Sequence, residues 1–153
     1  MGYAIQQTPF FTQLMDYTLR KNEKLRSRTA INRLFDEGKS LMAFPLRAAY
    51  RQREPGENNV QFLVTIPKKR IRKAVNRVTL RRRVRESYRL ARRELLTPVL
   101  EQNGCGVDIA FVYLDSTPAP YSVIQEKMTS LLTRIAQAVA DAEPDNNIQN
   151  HRQ

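Results

Sequence analysis

The sequence predicts an α+β fold, one sheet with helices packed against it. Three observations predict it. Apolar residues recur at helical spacing in three stretches, around 27–37, 74–96 and 121–142. Between the first two stretches they alternate at period two, as in half-buried strands. A strongly apolar run, Val107 to Leu114, separates the last two.

The first helix is expected over residues 27–37. Ser27 can cap it, Ile31, Leu34 and Phe35 share a face, and Gly38 stands where a helix C-terminus favours glycine. Next comes the β region. Leu46, Ala48 and Tyr50 alternate with Arg47, Ala49 and Arg51. After the turn-like Glu54-Pro55-Gly56-Glu57-Asn58-Asn59, the residues Val60, Phe62, Val64 and Ile66 alternate in the same way. Lys39 to Phe44 leaves room for a further short strand before Pro45, so two or three strands are open here. A long helix follows over 74–96, ended by Pro98 and Asn103-Gly104-Cys105-Gly106. Val107 to Leu114 is the last strand, broken by Pro118 and Pro120. The last helix, 121–142, carries Ile124, Met128, Leu131, Leu132, Ile135 and Val139 at helical spacing. The expected organisation is an N-terminal extension over 1–16, an α/β domain over 17–142 and a polar tail over 143–153. No internal repeat is present.

Charge narrows the class of function. The 153 residues hold 26 Lys+Arg against 15 Asp+Glu, a net charge of +11. A chain this basic concentrates polyanions around itself, and nucleic acid and anionic membrane are the usual partners. No apolar run approaches the ~18 residues of a spanning helix. Met1 to Gln6 shows neither the charged and apolar regions of a signal peptide nor a myristoylation signal. The single Cys105 excludes an internal disulfide framework. A cytoplasmic location is the expectation.

Half of the basic residues, 13 of 26, fall between Lys68 and Arg93, with Glu86 the one carboxylate among them. A surface helix built for stability would intersperse acids at four-residue spacing. On a helical wheel Leu80, Val84, Ser87, Tyr88, Ala91 and Leu95 occupy one arc of about 100°. Arg77, Arg81, Arg82, Arg85, Arg89, Arg92 and Arg93 occupy a second arc of roughly 160°. Arg83 stands apart from both. The helix thus has a core side and an arginine wall, with Lys69, Arg70 and Lys73 just before it. A merely solvated face would mix signs, and the planar guanidinium suits bidentate phosphate contacts. A membrane-surface role is weaker, because the apolar arc lacks Trp and Phe and the core needs it. Strand aromatics favour RNA over DNA, since unpaired bases stack on such rings. Core packing is the expectation for Phe62, Phe111 and Tyr113, and Tyr50 is open between the two roles.

Catalytic residues are not evident. His151 lies in the polar tail, and Asp36, Glu37, Asp108 and Asp115 form no cluster like a two-metal nuclease site. Cys105 sits between glycines with no His nearby in sequence. The chain reads as a binder, not a self-sufficient catalyst.

From Tyr17-Thr18-Leu19 to about Ile135 the chain resembles the bacterial ribonuclease P protein family. The likeness rests on Leu25-Arg26-Ser27-Arg28, on Ile31-Asn32-Arg33-Leu34-Phe35-Asp36-Glu37-Gly38-Lys39-Ser40, and on Phe44-Pro45-Leu46-Arg47. It continues in Ile66-Pro67-Lys68-Lys69, Ala74-Val75-Asn76-Arg77, Arg81-Arg82 with Arg85-Glu86 and Arg89, then Tyr121 and Glu126-Lys127-Met128. The resemblance implies a subunit of an endoribonuclease that removes the 5′ leader of precursor tRNA. Its active site would lie in a catalytic RNA subunit, and Mg²⁺ would be held mainly by RNA and substrate. It implies a single-domain α–β sandwich of order αβββαβα, with a four-stranded sheet and a left-handed crossover. By position, Arg70, Arg77, Arg81, Arg82 and Arg85 would contact RNA. Phe35 and Tyr50 would line the leader cleft, with Ile31 at a position often aromatic. Two departures stand out. Val78-Thr79 replaces the Asn-Arg of the family's Arg-Asn-Arg signature, and Ile71-Arg72 occupies a loop that often holds Gly. Arg83 is the candidate to compensate. A ribosomal or RNA-chaperone type of binder is the alternative, and a protein-only nuclease a third reading.

Overall fold

The computed structural model describes residue 19, residues 21–56 and residues 59–142. The expected extension over 1–16 and tail over 143–153, with His151, lie outside the described residues. A 3₁₀ turn, Lys21–Glu23, comes first. There follow α1 (Arg28–Glu37), β1 (Lys39–Ala43), β2 (Leu46–Arg53), β3 (Val60–Thr65) and α2 (Ala74–Leu95). Then come α3 (Thr97–Asn103), β4 (Gly106–Tyr113) and α4 (Tyr121–Asp141). The four strands form one mixed sheet in the order β1-β2-β4-β3. β2 pairs antiparallel with both β1 and β4, and β3 runs parallel to β4. The helices α2 and α3 therefore make the crossover from the edge strand β3 back to β4.

Local sequence explains most boundaries. Ser27 caps α1, its hydroxyl accepting from the Ala30 amide at 3.3 Å. Gly38 ends α1 for a reason other than the expected left-handed cap, since its φ is −74°. A Cβ there would press on the Leu34 carbonyl and lie 2.9 Å from the Tyr50 carbonyl, so the site has no room for a side chain. Pro98 does not stop the long helix. α2 ends at Leu95, and Pro98 sits in the first turn of α3, where its missing N–H costs nothing. Gly104, at φ 61°, supplies the left-handed residue that ends α3.

The sheet has two unlike faces. On one, Tyr50, Phe62, Val107, Ile109, Phe111 and Tyr113 pack with Leu80, Val84 and Tyr88 of α2. Ile124, Met128, Leu131, Leu132, Ile135 and Val139 of α4 complete that core. Tyr88 lies at its centre, stacked on Phe62 with ring centroids 4.4 Å apart and edge-on to Phe111 at 5.5 Å. On the other face Ala49, Ala110 and Leu63, neighbours across three strands, give a shallow floor. Leu34 and Ile31 of α1 pack there with Leu25. Small residues at the centre of this face let α1 approach, and they leave the rest of it uncovered by helix.

Burial at the main core sets an alkaline limit. It pushes the Tyr88 phenol well above its ordinary value of 10.0, and raises Tyr50, Tyr113 and Tyr121 as well. The folded state then holds phenolic protons that the unfolded chain gives up. The stabilisation is complete below about pH 10 and is lost as pH climbs above it. Thermal melts at rising alkaline pH should show Tm falling above pH ~10, and Tyr88→Phe should lessen the slope. An equal slope in the variant would remove Tyr88 as the cause.

Candidate nucleic-acid interface

The long helix α2 turns Leu80, Val84, Ser87 and Tyr88 inward. Arg81 and Arg82 are exposed and pair with no described residue. Arg85 is half-buried beside them. These three side chains, with Leu19 and Val78, line an open cavity of about 610 Å³. Lys68, Lys69 and Arg70 project from the turn that precedes the helix, and Lys73 is exposed at its N-cap. Ile71, 3% exposed, anchors that turn in the core.

Four other arginines of the run are engaged within the protein. Arg77 donates to the carbonyls of Ile71 and Arg72 at 3.0 and 2.7 Å, and so clamps the loop onto the helix. Arg89 makes a forked pair with Glu86, at 2.6 and 3.0 Å, which holds the Glu86 carboxyl below the usual carboxylate range. Arg92 corrects the helical-wheel reading. It is buried, and its guanidinium meets Glu23 at 2.6 Å. Arg83, the candidate for compensating the altered signature, instead donates to the Ala119 carbonyl at 2.6 Å and ties α2 to the loop before α4. At the signature itself Val78 is half exposed, and the Thr79 hydroxyl donates to the Val75 carbonyl at 3.0 Å.

A second cavity, about 210 Å³, lies between α2 and the residues before α1. Leu25, Phe62, Leu63 and Val64 form its apolar part. Arg81 and Arg85 stand on one side, Lys24 and Arg26 on the other. Its position was not foreseen. Leu25 between two basic residues, just before the helix cap, was its one local signal. Of the three cleft residues expected, Ile31 packs against the same small cluster as Leu63, which lines this cavity, but does not line it itself. Phe35 is 46% exposed on α1 and lines no part of it. Tyr50 is a correction. It is 6% exposed and belongs to the main core on the opposite face, because even-numbered positions of β2 point there.

Three of the four carboxylates considered above are engaged structurally. Asp108 is buried and pairs with Arg53 at 2.8 Å, and Glu37 pairs with Arg51 at 3.2 Å. Asp115 accepts from the Ser116 amide at 2.7 Å. Among the described residues no three His, Cys, Asp or Glu side chains come together to hold a metal ion.

A family model described as Ribonuclease P matches residues 19–136, a span that holds the arginine helix, the cleft and the whole sheet. The chain belongs to the ribonuclease P protein family. The ribonuclease P protein component of Porphyromonas gingivalis strain W83 is 37% identical over 123 residues, covering 78% of this chain and 88% of that protein. The corresponding protein of Chlorobium phaeobacteroides is 30% identical over 131 residues, covering 77% and 88%. Among solved structures, the ribonuclease P protein of Thermotoga maritima superposes with a TM-score of 0.56 at 26% identity, over 72% of this chain and 96% of that one. The Staphylococcus aureus protein gives 0.57 at 16% identity, over 75% and 95%, a likeness of fold. The α+β fold is thus that of ribonuclease P proteins, and the chain is a protein subunit of this endoribonuclease.

Proposed function

We propose that the open side of α2 binds the catalytic RNA of ribonuclease P, while the cleft beside it takes the single-stranded 5′ leader of precursor tRNA. The carrying observation is the shared pair Arg81 and Arg85, which line both the open cavity on α2 and the apolar cleft. Arg81 and Arg82 supply free guanidinium groups for phosphate, with Lys69, Arg70 and Lys73 extending the surface past the helix start. Arg77 and Arg89 act there as held charges, one fixing the loop and the other carrying Glu86. Apolar Leu25, Leu63 and Val64 suit unstacked bases, and Ile31 packs against the same small cluster as Leu63. In this reading the active site lies in the RNA subunit, Mg²⁺ is held by RNA and substrate phosphate, and the protein positions the leader. The location is the cytoplasm. No helix among the described residues is long and apolar enough to cross a membrane.

The test is cleavage of precursor tRNA by the catalytic RNA at low Mg²⁺, with and without the chain. Stimulated cleavage at the mature 5′ end is the expected result. RNA binding without stimulation would favour a ribosomal or RNA-chaperone role.

A further inference from the structure

The stripe of α2 that faces the open cavity changes character along its length. Arg81, Arg82, Arg85 and Arg89 carry its later turns, and Val78 begins it. Val75, three residues earlier, extends the same stripe by a turn. Val75 and Val78 are 68% and 50% exposed, so two apolar side chains stand in water at the end of a row of cations. Phe35, Met42 and Phe44, the other large apolar side chains left exposed, belong to α1, to β1 and to the turn after β1.

Among the described lining residues of this cavity, Leu19 is the one that α2 does not supply. It is half-buried and packs against the main core. The chain before it therefore departs from the cavity wall. Residues 1–18 lie outside the described residues, but their composition is unlike the rest. All 26 Lys and Arg of the chain come after them. They hold Tyr3, Phe10, Phe11, Leu14 and Tyr17, and Asp16 is their one charged side chain. An apolar, faintly acidic segment is thus tethered beside an arginine row that ends in two bare valines. Aromatic rings pack on aliphatic side chains, and they also sit over guanidinium groups by cation–π attraction. Reach is not limiting. Phe11 stands eight residues before Leu19, up to about 29 Å of extended chain. The helix from Val75 to Arg89 is about 21 Å long.

We propose that residues 1–18 of this chain dock on the Val75–Val78 end of α2, with the Phe10 and Phe11 rings against the two valines, and that the docked segment competes with RNA for the arginine row. The competition rests on the reading of this side of α2 as the RNA site, and the docking does not. With Asp16 as its single carboxylate, the segment neutralises little of the row. An RNA that meets several guanidinium groups at once displaces it. The cover lowers the affinity of every RNA by one factor, the fraction of time the site stands open, and so removes the weakest binders first.

The experiment uses the full chain. Nuclear Overhauser contacts are recorded on the free protein with isotope-labelled valine methyls. Contacts from the Phe10 and Phe11 rings to the Val75 and Val78 methyls are expected within one chain. Binding of the catalytic RNA is then compared between the native protein and Phe10→Ser combined with Phe11→Ser. The serine variant should bind more tightly, by about tenfold if the cover is closed nine-tenths of the time. Phe10→Leu with Phe11→Leu, which stays apolar, should bind like the native chain. Absence of ring-to-methyl contacts would overturn the proposal. So would contacts seen only between differently labelled chains, which place a second copy on the valines. Equal or weaker RNA binding by the serine variant would overturn the competition, and weaker binding would make the rings RNA ligands. If neither protein binds the RNA, the RNA reading of α2 fails, and the methyl contacts still decide the docking.

Discussion

Arg81→Glu combined with Arg82→Glu is expected to weaken binding of the catalytic RNA by at least about 3 kcal/mol, on the order of 100-fold or more. Both side chains are exposed and pair with no described residue, so their reversal removes charge-assisted contacts without opening the core. The slope of log K against log salt should also become shallower by about 2, one unit for each lost phosphate contact. Circular dichroism and Tm should stay close to native, since exposed substitutions usually move stability by no more than about 0.5 kcal/mol. An unchanged salt slope with folding intact would mean that this side of α2 does not face RNA. The double change tests the wall apart from the clamps, because Arg77 and Arg83 keep their carbonyl partners.

The largest stability effect is expected far from that wall. Glu23→Ala leaves the Arg92 guanidinium buried without its carboxylate, whose side chain is only 10% exposed beside an arginine at 7%. Breaking one side of such a pair costs about 3–5 kcal/mol. Against a total of about 5–15 kcal/mol this is a large fraction, and a drop in Tm on the order of 10 °C should follow. Adding Arg92→Met should recover much of the loss, since a buried ion pair is often replaceable by apolar side chains of similar volume. Chemical denaturation of the two variants checks both halves. If Glu23→Ala melts like the native protein, the pair does not hold the 3₁₀ turn in place.

These two residues also show how far the sequence could be read. Leu80, Val84 and Tyr88 repeat at four-residue spacing, so the buried side of α2 was legible from local pattern alone. Arg92 continues that spacing, yet its charge assigned it to the wall. Its partner Glu23 comes from a turn with no periodicity of its own, and only the folded chain brings them together. Arg83 was anomalous on the wheel for a similar reason, because a carbonyl in the Pro118–Pro120 loop defines its role. Tyr50 failed differently. Its alternation with arginines was read correctly, but with helices on both faces of the sheet, alternation does not say which face is the deep core. The exposure of Arg81 and Arg82 was legible from the wheel alone, because neither pairs with another described residue.

The crossover from β3 through α2 carries a mechanical consequence. Arg81 and Arg85 belong at once to the outer wall and to the rim of the cleft, on a helix about 33 Å long that α4 braces from beneath. On the proposed reading, one helix sets the separation between the catalytic RNA and the leader. The protein would then serve as a spacer, presenting one strand to another at a fixed offset.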